Sequence, residues 1–374
     1  YEGGAFAGTR QVGARICGRG LVKAGLWATS VALGIVGFSS WADIPRMPDG
    51  KPDLSGTFDV ATLTPMERPE ELGVKNVITQ QEADQIAAAV AESRAKSSLP
   101  SDPNRSAPKS GGDGTAGAGG GVGGYNDFWL DYGSGRFKLN GVYPTSIITY
   151  PENGRYPEMT AYGEQRMSVE LSDFRYNTGK AWWLDQDGPG PFDNMEQRPL
   201  RERCLLGFGP AAGPPVVPSV YNNLKRIVQT EDTLMILAEM VHDARIIPIG
   251  SQHNPDTIRS WMGDSVGRWE GDTLIVETKN FKDFPGLTAA DKNLHVIEKF
   301  SRIDEQTLLY QFEVSDPTVW TETWKGEYPW PQTQDKLYEY ACHEGNYALG
   351  NIMRGARLLE KDMLSGTSNS SGED

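Results

Sequence analysis

From Lys225 to Trp330 the chain repeats one arrangement: a short run of β-branched, aliphatic and aromatic residues, then a tight polar turn. Lys225 to Thr230 and Thr233 to Val241 are separated only by Glu-Asp, and Arg245 to Pro248 continues the run. Trp269 to Phe281 folds about Glu270-Gly271-Asp272, Leu294 to Ile303 and Thr307 to Ser315 are joined by Asp-Glu-Gln, and Val319 to Trp330 adds an aromatic strand. Regularly spaced strands with short turns and no helices between them predict a mainly β fold. The expected form is one antiparallel meander closing toward a lipocalin-like barrel or a sandwich. Alternation assigns the faces: Leu308, Tyr310, Phe312 and Val314 share one face, Val296, Glu298 and Phe300 share one in their own strand, and His295 lines up with Ile297 and Lys299. If the strand from Thr233 keeps its parity to its end, His242 points inward with Leu234 and Ile236.

The regions outside the meander have different compositions. Residues 1–42 read as a Sec-type signal peptide: Arg10, Arg15, Arg19 and Lys23 precede the apolar Ala24 to Phe38, and Ser40-Trp41-Ala42 offers a cleavage site. That apolar run is shorter than the roughly 20 residues a bilayer requires. Residues 43–96 form an N-terminal arm and a helix, the helix opened by a capping box of Thr79 and Glu82. Residues 97–124 are nearly all Ser, Pro, Gly, Ala, Asp and Asn, which predicts a flexible linker because little apolar surface is available to offset the entropy of ordering. Residues 125–364 are the β-rich domain, with a division near Gly190 as the alternative, and 365–374 form a polar tail. A helix over about Tyr347 to Asp362 places Ile352, Ala356 and Leu359 near one face.

The chain is acidic, with a formal net charge of −14, and the leader removes more basic than acidic residues. Such a surface repels phosphate backbones and anionic lipid, which argues against a nucleic-acid partner or stable membrane insertion after signal cleavage. A small-molecule ligand or substrate remains as the expected partner. The predicted location is periplasmic or secreted.

Chemistry-bearing residues concentrate near the C-terminal end, in Cys342-His343-Glu344-Gly345-Asn346. In an oxidising compartment Cys342 has one natural partner in the mature chain, Cys204, and the bond would close a loop for which the chain-entropy model allows about 5 kcal/mol. Zinc ligation by the thiolates with His343 is the competing reading, but no CxxC or HxxxH spacing supplies further ligands. Each of the four histidines has a carboxylate within three positions, an arrangement suited to proton transfer near neutral pH. His343 and His242 are the candidate proton carriers, with Glu344, Asp243 and Glu239 to orient them. Arg245 is the candidate anion anchor, and Asn346, Trp324 and Tyr340 are candidate substrate contacts. A metal held by His242, His343 and Glu344 or Glu239 has no support from spacing, and no cofactor is indicated. His253 is expected to be exposed in a loop. Gly263-Asp264-Ser265-Val266-Gly267 matches the letters of a nucleophile elbow but reads as a turn between strands.

Several long blocks also resemble a widespread family of exported bacterial β-rich proteins. They are PDGKPDLSGTFD, YNDFWLDYGS, RPLRERCLLGF, EMVHDARIIPIG, IRSWMGDSVGRWEGDTLIVETKNF, EKFSRIDEQTLLYQFEVSDPTVWTETW and YEYACHEGNYALGNIMRGAR, which together cover nearly all of Pro48 to Arg357. The resemblance implies export and a β-rich body, and it implies no reaction. Two functions follow as expectations: an acid/base lyase, isomerase or hydrolase acting on a small aromatic or polyhydroxylated substrate, or a non-catalytic lipocalin-like binder of an apolar ligand.

Overall fold

The computed structural model describes residues 44–99, 104, 130–172, 179–207, 209–211 and 213–366. The leader, most of the segment 97–124 and the tail beyond 366 lie outside the described residues. In chain order the elements are β1 (Gly56–Asp59), β2 (Val77–Ile78), α1 (Gln80–Ser97), β3 (Tyr143–Pro144), β4 (Ile148–Tyr150), α2 (Ala161–Ser172), β5 (Leu224–Gln229), β6 (Thr233–Ala238), β7 (Ala244–Pro248), β8 (Asp264–Glu270), β9 (Thr273–Lys279), β10 (His295–Arg302), β11 (Thr307–Ser315), β12 (Trp324–Pro331) and α3 (Tyr347–Leu364). No helix among the described residues is long and apolar enough to cross a membrane.

The strands form three antiparallel sheets, ordered β1-β5-β6-β7, β4-β12-β11-β10-β9-β8 and β2-β3. The larger sheets meet at two margins, through a parallel bridge Ile249–Gly267 and an antiparallel bridge Phe58–Gln332. These are single bridges where a closed cylinder would carry continuous ladders, so the described residues form no closed barrel. The N-terminal arm does more than lie over the body. Its Gly56–Asp59 pairs residue by residue with Leu224–Ile227 as an edge strand, and Leu54 and Phe58 are fully buried.

Alternation within the six-stranded sheet follows the sequence pattern. Leu308, Tyr310, Phe312 and Val314 of β11 and Val296, Glu298 and Phe300 of β10 all face inward and are buried. They meet Trp324, Tyr328 and Trp330 of β12, and Tyr310 stands 4.7 Å from Trp330 and 5.1 Å from Phe300, centroid to centroid. Each such fully buried large side chain contributes about 1.5–3 kcal/mol relative to exposure, so this aromatic stack dominates the core.

Several sequence expectations are corrected. β6 stops at Ala238, because Glu239 to His242 turn sharply and Val241 and His242 take positive φ values of 59° and 48°. The parity that would have pointed His242 inward is thereby lost, and the ring is exposed. The last aromatic strand begins at Trp324, five residues later than its apolar run, since Val319 and Trp320 belong to a turn whose amides both donate to the Asp316 carbonyl. Gly263 to Gly267 is no turn either: Asp264 starts β8, and Ser265 faces inward against Thr278, 2.8 Å away. Helix α2 was not anticipated.

Candidate functional site

Cys204 and Cys342 are joined as a disulfide across 138 positions, with Cα atoms 5.8 Å apart. Zinc–thiolate ligation is therefore overturned. Asn346 caps α3, its Oδ1 accepting from the Leu349 amide at 3.2 Å, while its Nδ2 donates to the Glu202 carbonyl at 2.8 Å and to Cys204 Sγ at 3.4 Å. A hollow of about 510 Å³ opens beside the disulfide, with Arg201, Tyr340, Asn346, Leu349 and Ile352 in its wall. His343 and Glu344 stand exposed in the preceding turn and are not among the lining residues.

The segments bearing His242 and Tyr340 come together through bonds from the side chains of one to the main chain of the other. His242 Nδ1–H donates to the Tyr340 carbonyl at 3.2 Å, and Glu239, buried, accepts the Tyr338 amide at 3.1 Å. Glu239 also faces Lys225, whose ammonium burial pulls down to about 8, opposed by the charges of Glu239 and Asp59. Asp243 has its pKa pushed up to about 6 by burial, with the adjacent His242 opposing.

Two further assignments meet physical obstacles. Arg245 is buried and its guanidinium is spent on Glu298, Nη1 to Oε1 at 3.0 Å and Nη2 to Oε2 at 2.6 Å. Tyr310 completes that pair, donating its hydroxyl to Glu298 Oε1 at 2.7 Å. A guanidinium already neutralised inside the sheet is not available to a substrate anion. Trp324 is fully buried within the core, so it cannot stack on a substrate.

A different constellation lies on the outer face of β8, β9 and β10. Asp264, Glu277 and His295 share that face, because the register pairs Asp264 with Lys279, Val266 with Glu277, and Glu277 with Ile297. The connection from β7 folds back over them. Gly250, at φ 76°, turns the chain while its amide donates to the Gly267 carbonyl at 2.8 Å, and this sets Ser251 to Asn254 above the sheet. Asp264 then clamps the loop, accepting His253 Nδ1–H at 2.8 Å, the Asn254 amide at 2.9 Å and Asn254 Nδ2 at 2.7 Å. Its own entry into β8 depends on Gly263, at φ 71°, where a Cβ would lie 2.7 Å from Thr278 Cγ2 and 2.8 Å from the Lys279 carbonyl oxygen.

His253 is thus held with its side chain only 12% exposed. Its Nε2 is buried, has no hydrogen-bond partner, and lies 3.7 Å from Glu277 Oε2. The other oxygen, Glu277 Oε1, accepts His295 Nε2–H at 2.8 Å. Burial pushes the Asp264 carboxyl up, but the bonds from His253 and Asn254 outweigh it and leave the group below its ordinary value. The His295 hydrogen bond likewise holds Glu277 below its ordinary value, against the effect of burial. An open cleft of about 600 Å³ adjoins these groups, with Ser251, Gln252, Asn254, Arg268 and Lys279 in its wall. Among the described residues no group of three or more His, Cys, Asp or Glu side chains has the geometry to hold a metal ion.

The expectation that His253 is simply exposed is corrected by the Asp264 clamp. Its partner lies eleven residues away, and the local carboxylate misleads at His295 too: His295 pairs with Glu277 on the neighbouring strand, whereas Glu298 points into the core. A signal was available for His295, since the parity that put it on the face opposite Glu298 also excluded that partner. Comparison with protein-family models, curated proteins and solved structures returns no match, so the site is interpreted from its own geometry.

Proposed function

We propose that the protein is an acid/base enzyme, a lyase, isomerase or hydrolase, working at the His253 cleft on a small polyhydroxylated substrate. The observation that carries this reading is His253 itself: Nδ1–H is fixed by an ionised Asp264, and Nε2 is left with a buried, unpartnered lone pair beside an open cleft. That tautomer makes Nε2 a proton acceptor, and the Asp264 carboxylate stabilises the imidazolium formed when the proton arrives. Gln252, Asn254, Ser251, Arg268 and Lys279 offer polar contacts suited to hydroxyl-bearing substrates better than to a flat aromatic one. The reading of residues 1–42 as a leader places this activity in the periplasm or outside the cell, and N-terminal sequencing of the exported form should begin at Asp43.

The test is turnover across a panel of sugar acids, polyols and glycosides, comparing the wild type with His253→Gln, Asp264→Asn and His343→Gln. The first two should lose about 10²–10⁴-fold in kcat, with His343→Gln unchanged. Full activity in His253→Gln would sink the reading. A binding function has one observation in its favour, the hollow beside the disulfide with Leu349, Ile352 and Tyr340 in its wall. Against a lipocalin-like use of the interior stands its filling by Tyr310, Tyr328, Trp330 and Phe300. Saturable uptake of an apolar fluorescent probe, lost in Ile352→Glu, would favour binding.

A further inference from the structure

His253 and His295 are linked by one carboxylate but differ in their access to water. The His253 side chain is 12% exposed and that of His295 is 40% exposed, and the two oxygens of Glu277 face them separately, at 3.7 Å and 2.8 Å from the respective Nε2 atoms. The shorter contact is a hydrogen bond. The longer one exceeds hydrogen-bond range, yet a small side-chain shift or one water closes it. A buried base that takes a proton must exchange it with solvent by some path, and Asp264 offers none through Nδ1, because all its bonds hold the loop in place.

We propose that Glu277 and His295 form a proton relay between solvent and Nε2 of His253. This rests on the reading of His253 as the base. In the delivery direction, Nδ1 of His295 takes a proton from water while its Nε2–H passes to Oε1 of Glu277. The neutral carboxyl turns about its last torsion and hands that proton to Nε2 of His253. At the end His253 is an imidazolium, Glu277 is again a carboxylate, His295 is the Nδ1–H tautomer, and the solvent has lost one proton. The reverse sequence discharges His253 when His295, exposed to water, has first exchanged its Nε2 proton for one at Nδ1 through solvent. Glu277 and His295 are positioning and relay groups, and neither needs to touch the substrate. The charged groups around the relay are Asp264 and Arg268 on β8, Lys279 on β9 and Lys299 on β10. The nearest carboxylate on β11, Glu313, is already paired with Lys325 of β12 at 2.8 Å.

The test needs no substrate. Imidazole nitrogens of the full chain are followed by proton–nitrogen NMR from pH 4 to 9 in the wild type, Glu277→Gln and His295→Gln, with near-ultraviolet circular dichroism to check that each variant is folded. Either substitution should change the His253 Nε2 environment, because Glu277 faces it at 3.7 Å and is itself held by His295 at 2.8 Å. Exchange of the His253 Nε2 proton with solvent should slow about tenfold or more in both variants. The relay is overturned if the His253 Nε2 proton exchanges with solvent identically in all three proteins. If His253 fails to titrate at all, or its Nδ1 proton is not held by Asp264 in the wild type, the reading of His253 as the base fails instead. Both substitutions lie on the outer face of the sheet, so if one variant does not fold the other still decides.

Discussion

Strands β8 to β10 carry charged networks on both faces, and the two networks have opposite characters. On the inner face Glu298 is completely buried, answered bidentately by Arg245 and capped by the Tyr310 hydroxyl. On the outer face Asp264, His253, Glu277 and His295 form a looser chain whose middle contact stretches to 3.7 Å and which borders an open cleft. Burial with complete pairing removes a charge from chemistry, because displacing either partner leaves an uncompensated ion in a medium of low dielectric. Partial exposure with incomplete pairing leaves protons free to move. One residue along a strand, as from Ser265 to Asp264 or from Thr278 to Glu277, separates the two regimes.

The sharpest way to break this contrast is to delete one carboxylate from each face. Glu298→Ala should cost about 3–5 kcal/mol in urea unfolding, since Arg245 would be left buried and unpaired. Glu277→Ala should cost under about 1 kcal/mol, as expected for a partly exposed pair. Equal losses would refute the distinction. Removing the disulfide by Cys204→Ser with Cys342→Ser should lower stability by about 2–5 kcal/mol and leave turnover at the His253 cleft unchanged, because the hollow and the cleft have no lining residue in common. Tyr310→Phe should cost about 1–3 kcal/mol, since its hydroxyl both donates to Glu298 and accepts the Val216 amide at 2.8 Å.

The smallest effects are those of pH. Burial pushes the Asp243 carboxyl from its ordinary value of 3.8 up to about 6, so the folded state binds the extra proton between those limits. Its contribution therefore declines as pH rises from about 4 to about 6, and Asp243→Asn should raise the melting temperature above pH 6 but not at pH 3.5. Asp264 and Glu277 are shifted the other way. Their stabilisation is present above the ordinary carboxylate range and is lost as pH falls through their lowered values, so Asp264→Asn should flatten the acid limb of the stability curve. An unchanged limb would mean that the clamp on His253 is weaker than its three hydrogen bonds imply.

Much of the architecture is legible in the sequence. The period-two runs from Lys225 to Trp330 locate strands, the Thr79 and Glu82 capping box locates α1, and the alternation in β10 and β11 assigns their buried faces. Helix α2 was missed because Ala161 to Ser172 has weak amphipathic patterning and sits between stretches rich in Gly and Pro. His242 was misplaced because a strand's parity ends where its backbone turns, and positive φ at a valine and a histidine leaves no mark in composition.

Local order in this chain follows from residue type: β-branched alternation makes strands, a capping box starts a helix, and Cys204 and Cys342 find each other. The site was decided elsewhere, by strand register and by the fold of the loop over β8. Those brought His253 to Asp264 and Glu277 to His295, and turned Glu298 away from both. Pairing register is a property of whole sheets competing for one buried face, whereas proximity along the chain says only which residues a strand will send to opposite sides.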